Sequence, residues 1–436
     1  MSIIKKAAFC TLGCKVNQYE TEAISELFVN NGYNIVPFDE KADVYLINTC
    51  SVTNIGDRKS RQMIRRAKKT NPESIIIVTG CYAQTASDEV LEIEGVNLVI
   101  GTKDRANIVE IANTLTPHSR INLVGDIMHN HKFEELKVTK YTDRTRAFIK
   151  IQEGCNQFCS YCIIPFARGR CRSKPLEVLR DELKMLADAG HREIVLVGIN
   201  LAFYGMEYGL RLADAVEECC RISGIERVRL GSLEPEVISD DDLLRLSRCP
   251  QFCPQFHLSL QSGSDSVLRR MNRRYTTAEY YDLVCRIRKI FPDASFTTDI
   301  MTGFPKETEE EFVQSLEFAE KVGFAKIHVF QYSPRKGTVA EKMPQLSKKI
   351  KAERADRLKA LGSQLQEKYL RNLVGKTVPV LFERENSTEF HHGYAPDYTL
   401  IKISRKNSKK SLRNFIFYVT IEEAHNDYCY GTICEP

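Results

Sequence analysis

The chain has 436 residues, 43% of them hydrophobic, with a formal net charge of +5 at pH 7. This length predicts two or three domains with a full hydrophobic core. So small a charge excludes a uniformly basic surface, and any affinity for nucleic acid must come from local patches. Lys5 and Lys6 interrupt a very short apolar start, and no apolar run approaches the roughly 18 residues that cross a bilayer. We therefore expect a soluble, cytoplasmic protein with no membrane partner, in which 15 cysteines indicate metal or redox chemistry rather than disulfides.

Residues 1–139 alternate apolar segments with helical ones. Strands are predicted at 7–11, 43–47, 74–78 and 97–100, and helices at 18–30 and 55–69. Continuous apolar strands that alternate with helices are typical of a parallel α/β sheet that is covered on both faces.

A cysteine follows each of the first three predicted strands: Cys14, Cys50 and Cys81. The carboxyl ends of parallel strands share one edge of the sheet, where ligands bind. These three thiols are therefore expected to converge in loops and to hold an iron–sulfur cluster with one open iron. The alternative is that they are ordinary buried cysteines, which are common in protein cores. Cys10 competes with Cys14, and we favour Cys14 because Cys10 lies inside the strand, where its side chain is expected to pack.

The second predicted helix is strongly basic. Its cations are Arg58, Lys59, Arg61, Arg65, Arg66, Lys68 and Lys69. Such a run is either a solvated helix face or a surface that neutralises the phosphates of a nucleic acid.

The loop at 153–162 carries Cys155, Cys159 and Cys162 at C-x3-C-x2-C spacing. Three thiolates hold three irons of a cubane cluster and leave the fourth iron open. Radical S-adenosylmethionine (SAM) enzymes use this arrangement to bind and cleave SAM, and this loop resembles theirs. The alternative is half of a zinc site, but a zinc site needs a fourth Cys or His at comparable spacing, and no C-x2-C partner follows.

Residues 140–372 repeat strand and helix around this loop. Six strands are predicted at 147–151, 193–197, 227–230, 255–260, 296–300 and 326–330. Six β/α units indicate a partial (β/α)6 barrel rather than the closed eight-stranded form, and the cysteine loop follows the first strand on the catalytic face.

Polar or glycine residues at the other strand ends are candidates to bind SAM around the mouth of this barrel. They are Gly198, Asn200, Glu234, Gln261, Ser262 and Asp299. The alternative for each residue is ordinary loop chemistry.

Residues 373–436 predict strands at 376–382, 398–403 and 414–422, which indicates a small antiparallel β-barrel. A basic loop and several aromatics accompany them: Arg405, Lys406, Lys409, Lys410, Arg413, Tyr394, Tyr398, Phe415, Phe417 and Tyr418. Basic loops with aromatics on a small barrel are typical of RNA binding, and the alternative is a structural appendage.

With both cysteine triads in view, nearly the whole chain resembles the methylthiotransferases of the radical SAM superfamily, and within them the MtaB-type tRNA enzymes. The phrases that carry this resemblance are TLGCKVNQYET at 11–21, GCYAQ at 80–84, QEGC at 152–155, QSGS at 261–264 and GFP at 303–305. The resemblance implies a methylthiotransferase domain at 1–139, a radical SAM core at 140–372 and a TRAM domain at 373–436. It also supports Cys14 over Cys10.

The resemblance further implies a reaction with two [4Fe–4S] clusters and two SAM molecules. A methylthio group is added to C2 of N6-threonylcarbamoyladenosine, the adenosine on the 3′ side of the tRNA anticodon. The cluster on Cys155, Cys159 and Cys162 makes the radical, and the cluster on Cys14, Cys50 and Cys81 supplies the sulfur. The implied partners are tRNA, an external electron donor and a sulfur source, and we expect a monomer.

One segment departs from the superfamily pattern: residues 198–205 do not contain the Gly-Gly-Glu common elsewhere, which weakens any assignment of the contact with the SAM amino group. Related enzymes act on isopentenyladenosine in tRNA or on an aspartate of a ribosomal protein, and these substrates stay open. So do a radical SAM methyltransferase or protein-modifying enzyme, and a non-catalytic iron–sulfur RNA-binding protein.

Overall fold

We describe a computed structural model of the chain over residues 4–141, 144–384, 387–407 and 410–434. Its first part is a parallel sheet in the order β2-β1-β3-β4-β5-β6 with helices on both faces. The strands are β1 (Lys6–Thr11), β2 (Asn34–Ile35), β3 (Val44–Thr49), β4 (Ile75–Gly80), β5 (Val96–Val99) and β6 (Ile121–Asn122). The helices are α1 (Lys15–Asn30), α2 (Asn54–Thr70), α3 (Cys81–Thr85), α4 (Ser87–Leu91) and α5 (Ile108–Thr114).

The central strands β3 and β4 are buried along their whole length, as their unbroken apolar sequence predicts. Alternate residues of these strands pack into different cores. Leu46 and Ile77 belong to a cluster that continues into the next part of the chain, whereas Tyr45 and Ile76 pack on the opposite side with α2. The predicted parallel α/β sheet is confirmed, with two short strands, β2 and β6, added at its edges.

The second part is a partial barrel built from two neighbouring sheets, in the orders β10-β9-β7-β8 and β11-β12-β13-β14. Its strands are β7 (Arg146–Glu153), β8 (Arg172–Ser173), β9 (Glu193–Gly198), β10 (Arg227–Leu230), β11 (Ser232–Leu233), β12 (Gln255–Leu258), β13 (Ser295–Thr302) and β14 (Lys326–Gln331). Its helices are α6 (Ile164–Arg168), α7 (Leu176–Asp188), α8 (Leu212–Cys220), α9 (Asp240–Ser247), α10 (Asp265–Arg270), α11 (Thr277–Ile290), α12 (Glu309–Val322) and α13 (Lys348–Arg371). All six predicted strands are present, and a parallel bridge between Val228 and Phe252 joins the two sheets.

Three helices of this barrel begin with a side-chain cap. The side chains of Ser239, Thr276 and Thr308 each accept a hydrogen bond from the backbone amide three residues later. The acidic side chain at that later position accepts a hydrogen bond from the backbone amide of the capping residue. These caps fix where α9, α11 and α12 begin, and therefore the lengths of the loops that lead from the strand ends into those helices.

The last part is a closed five-stranded barrel in the order β15-β16-β17-β19-β18, consistent with a TRAM-like domain. Its strands are β15 (Thr377–Phe382), β16 (Phe390–Tyr394), β17 (Leu400–Ser404), β18 (Ile416–Ala424) and β19 (Cys429–Ile433). The expectation of a purely antiparallel barrel is wrong in one respect: β17 and β19 pair in parallel, because β19 closes the barrel against a strand that is not its chain neighbour. Lys409 of the predicted basic loop lies outside the described residues.

No helix in the described ranges is long and apolar enough to cross a membrane.

Candidate active site

The loop that carries Cys155, Cys159 and Cys162 follows β7 and begins with a backbone conformation that only glycine adopts readily. Gly154 has φ +73°, and the place of a Cβ there is taken by the Arg170 carbonyl. The Cys155 amide donates to the Gly169 carbonyl at 3.0 Å, and the Ser160 amide donates to the Met271 carbonyl at 2.9 Å. The loop is therefore held at both ends by backbone from other segments.

Each thiol of this loop accepts a different hydrogen bond. Asn200 Nδ2 donates to Cys155 at 3.5 Å, Arg273 Nη1 donates to Cys159 at 3.4 Å, and the Ile164 amide donates to Cys162 at 3.4 Å. Donors aimed at sulfur stabilise thiolates and tune the potential of a cluster that the thiolates bind. The donor set therefore fits a cubane cluster with one open iron.

Burial opposes this ionisation until metal binds. It raises the pKa of Cys155 to about 12 and also raises the pKa of Cys162. For Cys159 burial raises the pKa, and the nearby Arg273 charge partly offsets that effect. Cluster assembly must therefore release protons from these thiols.

The second triad lies at the carboxyl edge of the first sheet. In the strand register Thr11 is opposite Asn48 and Thr49 is opposite Gly80, so that β1, β3 and β4 end side by side. Cys14 caps α1, Cys50 follows β3 and Cys81 begins α3. The expectation that Cys81 lies in a loop is wrong, because α3 starts directly at the end of β4.

The thiols of this triad are close enough to act on one another. The pKa of Cys81 is raised to about 12. Burial is the largest cause, Arg168 opposes it, and the nearby charges of Cys50 and Cys14 add to it. A Cβ on Gly13, which has φ +104°, would stand 2.8 Å from Cys50 Cβ. Glycine before Cys14 therefore lets the loops of Cys14 and Cys50 approach each other.

A buried ionic network connects the two triads. Arg168, at the end of α6, donates from Nε to Cys81 Sγ at 3.3 Å and from Nη1 to Glu153 at 3.2 Å and to Glu20 at 2.5 Å. Lys150 bridges the same two carboxylates at 2.7 and 3.0 Å. Burial would raise the pKa of both carboxyls, but Arg105, Arg168 and Lys150 hold the pKa of Glu20 well below its ordinary value, and Lys150 and Arg168 lower that of Glu153. A fixed cation therefore lies against one thiol of the second triad.

Within the described residues no three His, Cys, Asp or Glu side chains are grouped closely enough to hold a single metal ion. A cubane cluster binds each thiolate at a different iron, and its ligands stand further apart than those of one zinc ion. A cluster therefore does not require the close grouping of side chains that a single zinc ion requires.

One cavity of about 650 Å³ lies between the first sheet, the partial barrel and the five-stranded barrel. Cys14 and Lys15 from the first sheet line it, together with Gly198 and Asp299 from strand ends of the partial barrel. The five-stranded barrel closes its remaining side with Tyr398 and neighbouring residues. This volume is in the range of cofactor and small-ligand sites, and parts of all three β structures meet around it.

Two family models match the chain: "Uncharacterized protein family UPF0004" at residues 6–101 and "Radical SAM superfamily" at 149–319. The "Threonylcarbamoyladenosine tRNA methylthiotransferase MtaB" of Bacillus subtilis is 43% identical over 90% of this chain and 88% of its own length. The protein of the same name in Aquifex aeolicus is 40% identical over 87% and 93%. The chain belongs to the MtaB-type tRNA methylthiotransferases of the radical SAM superfamily.

Two further matches place this methylthiotransferase among its relatives. A "tRNA-2-methylthio-N(6)-dimethylallyladenosine synthase" from a Jannaschia species is 35% identical over 87% of this chain and 84% of its own length. The solved radical SAM methyltransferase TsrM from Kitasatospora setae shares the fold with a TM-score of 0.55 at 13% identity, over 76% and 77% of the two chains. Membership of the radical SAM superfamily gives the enzyme its cofactors, SAM and iron–sulfur clusters.

The residues predicted to bind SAM in this methylthiotransferase fall into different places. Gly198 and Asp299 line the cavity, and Asn200 lies against Cys155 with its Oδ1 buried and without a hydrogen-bond partner among the described residues. An unpartnered buried acceptor beside the cluster loop fits a ligand that donates a hydrogen bond, such as the amino group of SAM.

The other three predicted residues are engaged within the protein. Glu234 pairs with Arg273; burial raises its pKa and Arg273 opposes that effect. Gln261 has φ +65° and uses its backbone to bridge to β13. Ser262 is fully buried and its hydroxyl lies 3.2 Å from that of Ser315, so the structure does not bring it to the cavity.

Sequence reasoning did not identify Lys15, Arg168 and Arg273 as site residues. Arg168 and Arg273 reach cysteines that are 87 and 114 positions away in the chain, and no spacing motif marks such pairs. Lys15 directly follows Cys14, and its position next to a proposed ligand was the signal available for it.

The aromatic residues that were predicted to bind RNA lie in three environments: the exposed surface, the core of the last barrel and the cavity. Tyr418 and Phe415 are exposed on the last barrel, whereas Phe417 packs against its core. Tyr394 and Tyr398 stack with ring centroids 4.9 Å apart and line the cavity, with Arg146 over both rings. On α2, Arg58, Lys59, Arg65, Arg66 and Lys69 are exposed, and Arg61 pairs with Glu89.

Proposed function

We propose that this methylthiotransferase adds a methylthio group to C2 of N6-threonylcarbamoyladenosine, next to the anticodon of tRNA. One SAM donates the methyl group and a second is the source of the radical. The observation that carries the proposal is the cavity, because Cys14 of one triad lines the same space as Gly198, which pairs with Gln152 just before the loop of the other triad. The names and high identity of the relatives support this substrate.

The two triads divide the chemistry. We assign one [4Fe–4S] cluster to Cys155, Cys159 and Cys162 and a second to Cys14, Cys50 and Cys81. When bound, these clusters supply the electron that cleaves SAM and the sulfur that the base receives. An aromatic C2–H is not acidic enough for removal by an ordinary base, so a radical route suits this carbon.

The protein's own groups orient and insulate these parts. Asn200 and Arg273 fix two thiols of the radical loop, and Arg168 holds a positive charge against Cys81. Tyr398 closes the cavity from the last barrel, and buried Arg229 keeps it there by donating to the Pro396 carbonyl at 2.7 Å. The aromatic wall formed by Tyr394 and Tyr398 limits the access of water to a radical formed in the cavity.

The remaining assignments follow from this reaction. Residues 1–139, 140–372 and 373–436 form the methylthiotransferase, radical SAM and TRAM domains. The partners are tRNA, an external electron donor and a source of replacement sulfur, and the chain acts as a monomer. A tRNA substrate places the reaction in the cytoplasm. Exposed cations of α2 and aromatics of the last barrel contact the RNA backbone and bases.

Nucleoside mass spectrometry tests the proposed reaction. The anaerobically reconstituted protein is incubated with SAM, a reductant and tRNA that carries threonylcarbamoyladenosine, and the RNA is then digested. We expect the methylthio nucleoside. SAM cleavage without this product on that tRNA, but with product on isopentenyladenosine tRNA or a ribosomal protein, would replace the substrate and keep the radical core.

A further inference from the structure

We propose that Lys15 is a specificity-determining residue, whose ammonium group binds the carboxylate of the threonylcarbamoyl substituent. The proposal rests on the proposed function, since it concerns the same cavity and the same nucleoside. It adds the recognition of the one part of that nucleoside that carries a charge of its own.

Lys15 is placed inside the cavity by the element that carries the second triad. It is the first residue of α1, directly after Cys14, and both residues line the cavity. Its Nζ lies 5.8 Å from the ring centroid of Tyr398 and 5.9 Å from that of Phe148. Two aromatic rings therefore confine the ammonium group at the Cys14 end of the cavity.

The ammonium group of Lys15 has no anionic partner within the described part of the protein. No carboxylate there lies within 4.0 Å of its Nζ, and no hydrogen bond from it is formed. A half-buried cation without a carboxylate partner is costly unless a ligand pairs with it. The site is therefore built for an anionic ligand group.

Two of the three aspartates that line the same cavity already have partners, and the third, Asp427, is exposed. Asp299 Oδ2 lies 3.4 Å from His257 Nε2, and Asp397 Oδ2 accepts from the hydroxyls of Tyr369 and Thr399 at 2.7 Å each. An incoming carboxylate would meet like charge near these groups. The Cys14 end of the cavity is therefore the favourable place for it.

The chemistry of the nucleoside brings its carboxylate to that end. C2 and the carbon that bears N6 flank the same ring nitrogen, N1, so the reacting carbon and the substituent share one edge of the base. When C2 faces the Cys14, Cys50 and Cys81 triad, the substituent on N6 must lie beside that triad. Lys15 follows Cys14 and lines the cavity, whereas Arg168, the cation beside Cys81, is already paired with Glu20 and Glu153.

The test compares two RNAs and three variants. The RNAs are anticodon stem–loops with threonylcarbamoyladenosine or with its neutral carboxamide, which differ in one charge. The variants are Lys15→Gln, Lys15→Arg and, as a matched control, Lys326→Gln, which removes the exposed lysine at the rim of the same cavity. The readouts are kcat/KM for the methylthio product and the Kd of each RNA for the protein without SAM.

We expect the unmodified protein to favour the carboxylate on the order of 10²-fold over the carboxamide, since an unmatched buried charge is strongly rejected. Lys15→Gln should lose most of that preference in both kcat/KM and Kd, with the carboxamide nearly unaffected. Lys15→Arg should restore it in part. Lys326→Gln should leave the ratio between the two RNAs unchanged.

Three results would overturn the inference. An equal loss on both RNAs would make Lys15 a structural support for the neighbouring cluster or for Tyr398. No preference in the unmodified protein, with active turnover, would refute carboxylate recognition and leave the proposed function intact. No product from either RNA in the unmodified protein would show, before any variant is compared, that the proposed function itself fails and the inference with it.

Discussion

Arg168 Nε donates a hydrogen bond to Cys81 Sγ at 3.3 Å, although the two residues lie next to different cysteine triads in the sequence. Arg168 ends α6, the helix that directly follows the loop of Cys155, Cys159 and Cys162, whereas Cys81 belongs to the first sheet. One side chain thus joins the radical loop to the second triad. It also pairs with Glu153 within the partial barrel and with Glu20 of α1, so that the pair with Glu20 crosses to the first part of the chain.

Replacing Arg168 should destabilise the protein and weaken the second triad. In Arg168→Met two buried carboxylates lose a partner, and breaking a buried ion pair costs about 3–5 kcal/mol. Denaturant unfolding of the cluster-free protein measures this loss, and iron analysis after reconstitution should show reduced loading. The control Arg371→Met breaks an exposed pair with Glu367 and should change neither quantity measurably. Equal stability of the two variants would contradict the role of Arg168.

Arg273 should set the reduction potential of the radical cluster. Its guanidinium donates to Cys159 Sγ, and a nearby positive charge favours the reduced, more negative cluster. Arg273→Gln should lower the potential by an amount on the order of tens of millivolts. A redox titration followed by electron paramagnetic resonance checks this, in a background where the three cysteines of the second triad are alanine. Arg274→Gln, at the exposed neighbouring position, should leave the potential unchanged; the same shift in both variants would refute the specific contact.

The choice of Cys14 over Cys10 predicts different alkylation behaviour. Burial raises the pKa of Cys10 to about 11, so at pH 8 only about one thiol in a thousand is ionised, whereas Cys14 is exposed. In the cluster-free protein, iodoacetamide should therefore modify Cys14 quickly and Cys10 slowly, as read by peptide mass spectrometry. Reconstitution should protect Cys14 and leave the slow rate of Cys10 unchanged. Protection of Cys10 with continued reaction at Cys14 would reverse the assignment.

The exposed cations of α2 should contribute to tRNA affinity through phosphates. Reversal of two of them, Arg58→Glu with Arg65→Glu, should weaken binding of all tRNAs alike and flatten the salt dependence by about two phosphate contacts. Filter binding at several salt concentrations measures both effects, and SAM cleavage without tRNA should persist. Lys289→Glu with Lys321→Glu on the outer helices of the partial barrel gives the same change in charge. If this control weakened binding equally, only net charge would matter.

Much of the fold could be predicted from sequence because its signals are local. Runs of apolar residues indicate β3 and β4. Helix starts are indicated within a few positions by the capping residues Ser239, Thr276 and Thr308. The parallel pairing of β17 with β19 could not be predicted, because it depends on how a closed barrel returns to a distant strand. The edge strands β2 and β6 are two residues each, too short for any periodic pattern.

The candidate cysteines could be selected from the sequence, whereas most of the groups that contact them could not. The loop of Cys155 has a spacing motif, and Cys14, Cys50 and Cys81 share a position after a strand. Arg273 reaches its thiol from a different β/α unit and carries no such signal. Ser262 was predicted to bind SAM because it is a polar residue at a strand end. Its side chain instead points inward to Ser315, and the residue type alone does not reveal that direction.

We propose that the two triads perform different halves of one reaction, and one paired assay tests this division most directly. Cys155→Ala and Cys50→Ala are each incubated with SAM, reductant and tRNA, and both 5′-deoxyadenosine and the methylthio nucleoside are quantified. We predict that Cys155→Ala forms neither product, whereas Cys50→Ala still forms 5′-deoxyadenosine but no methylthio nucleoside. Equal loss of SAM cleavage in both variants would contradict the division of roles between the triads.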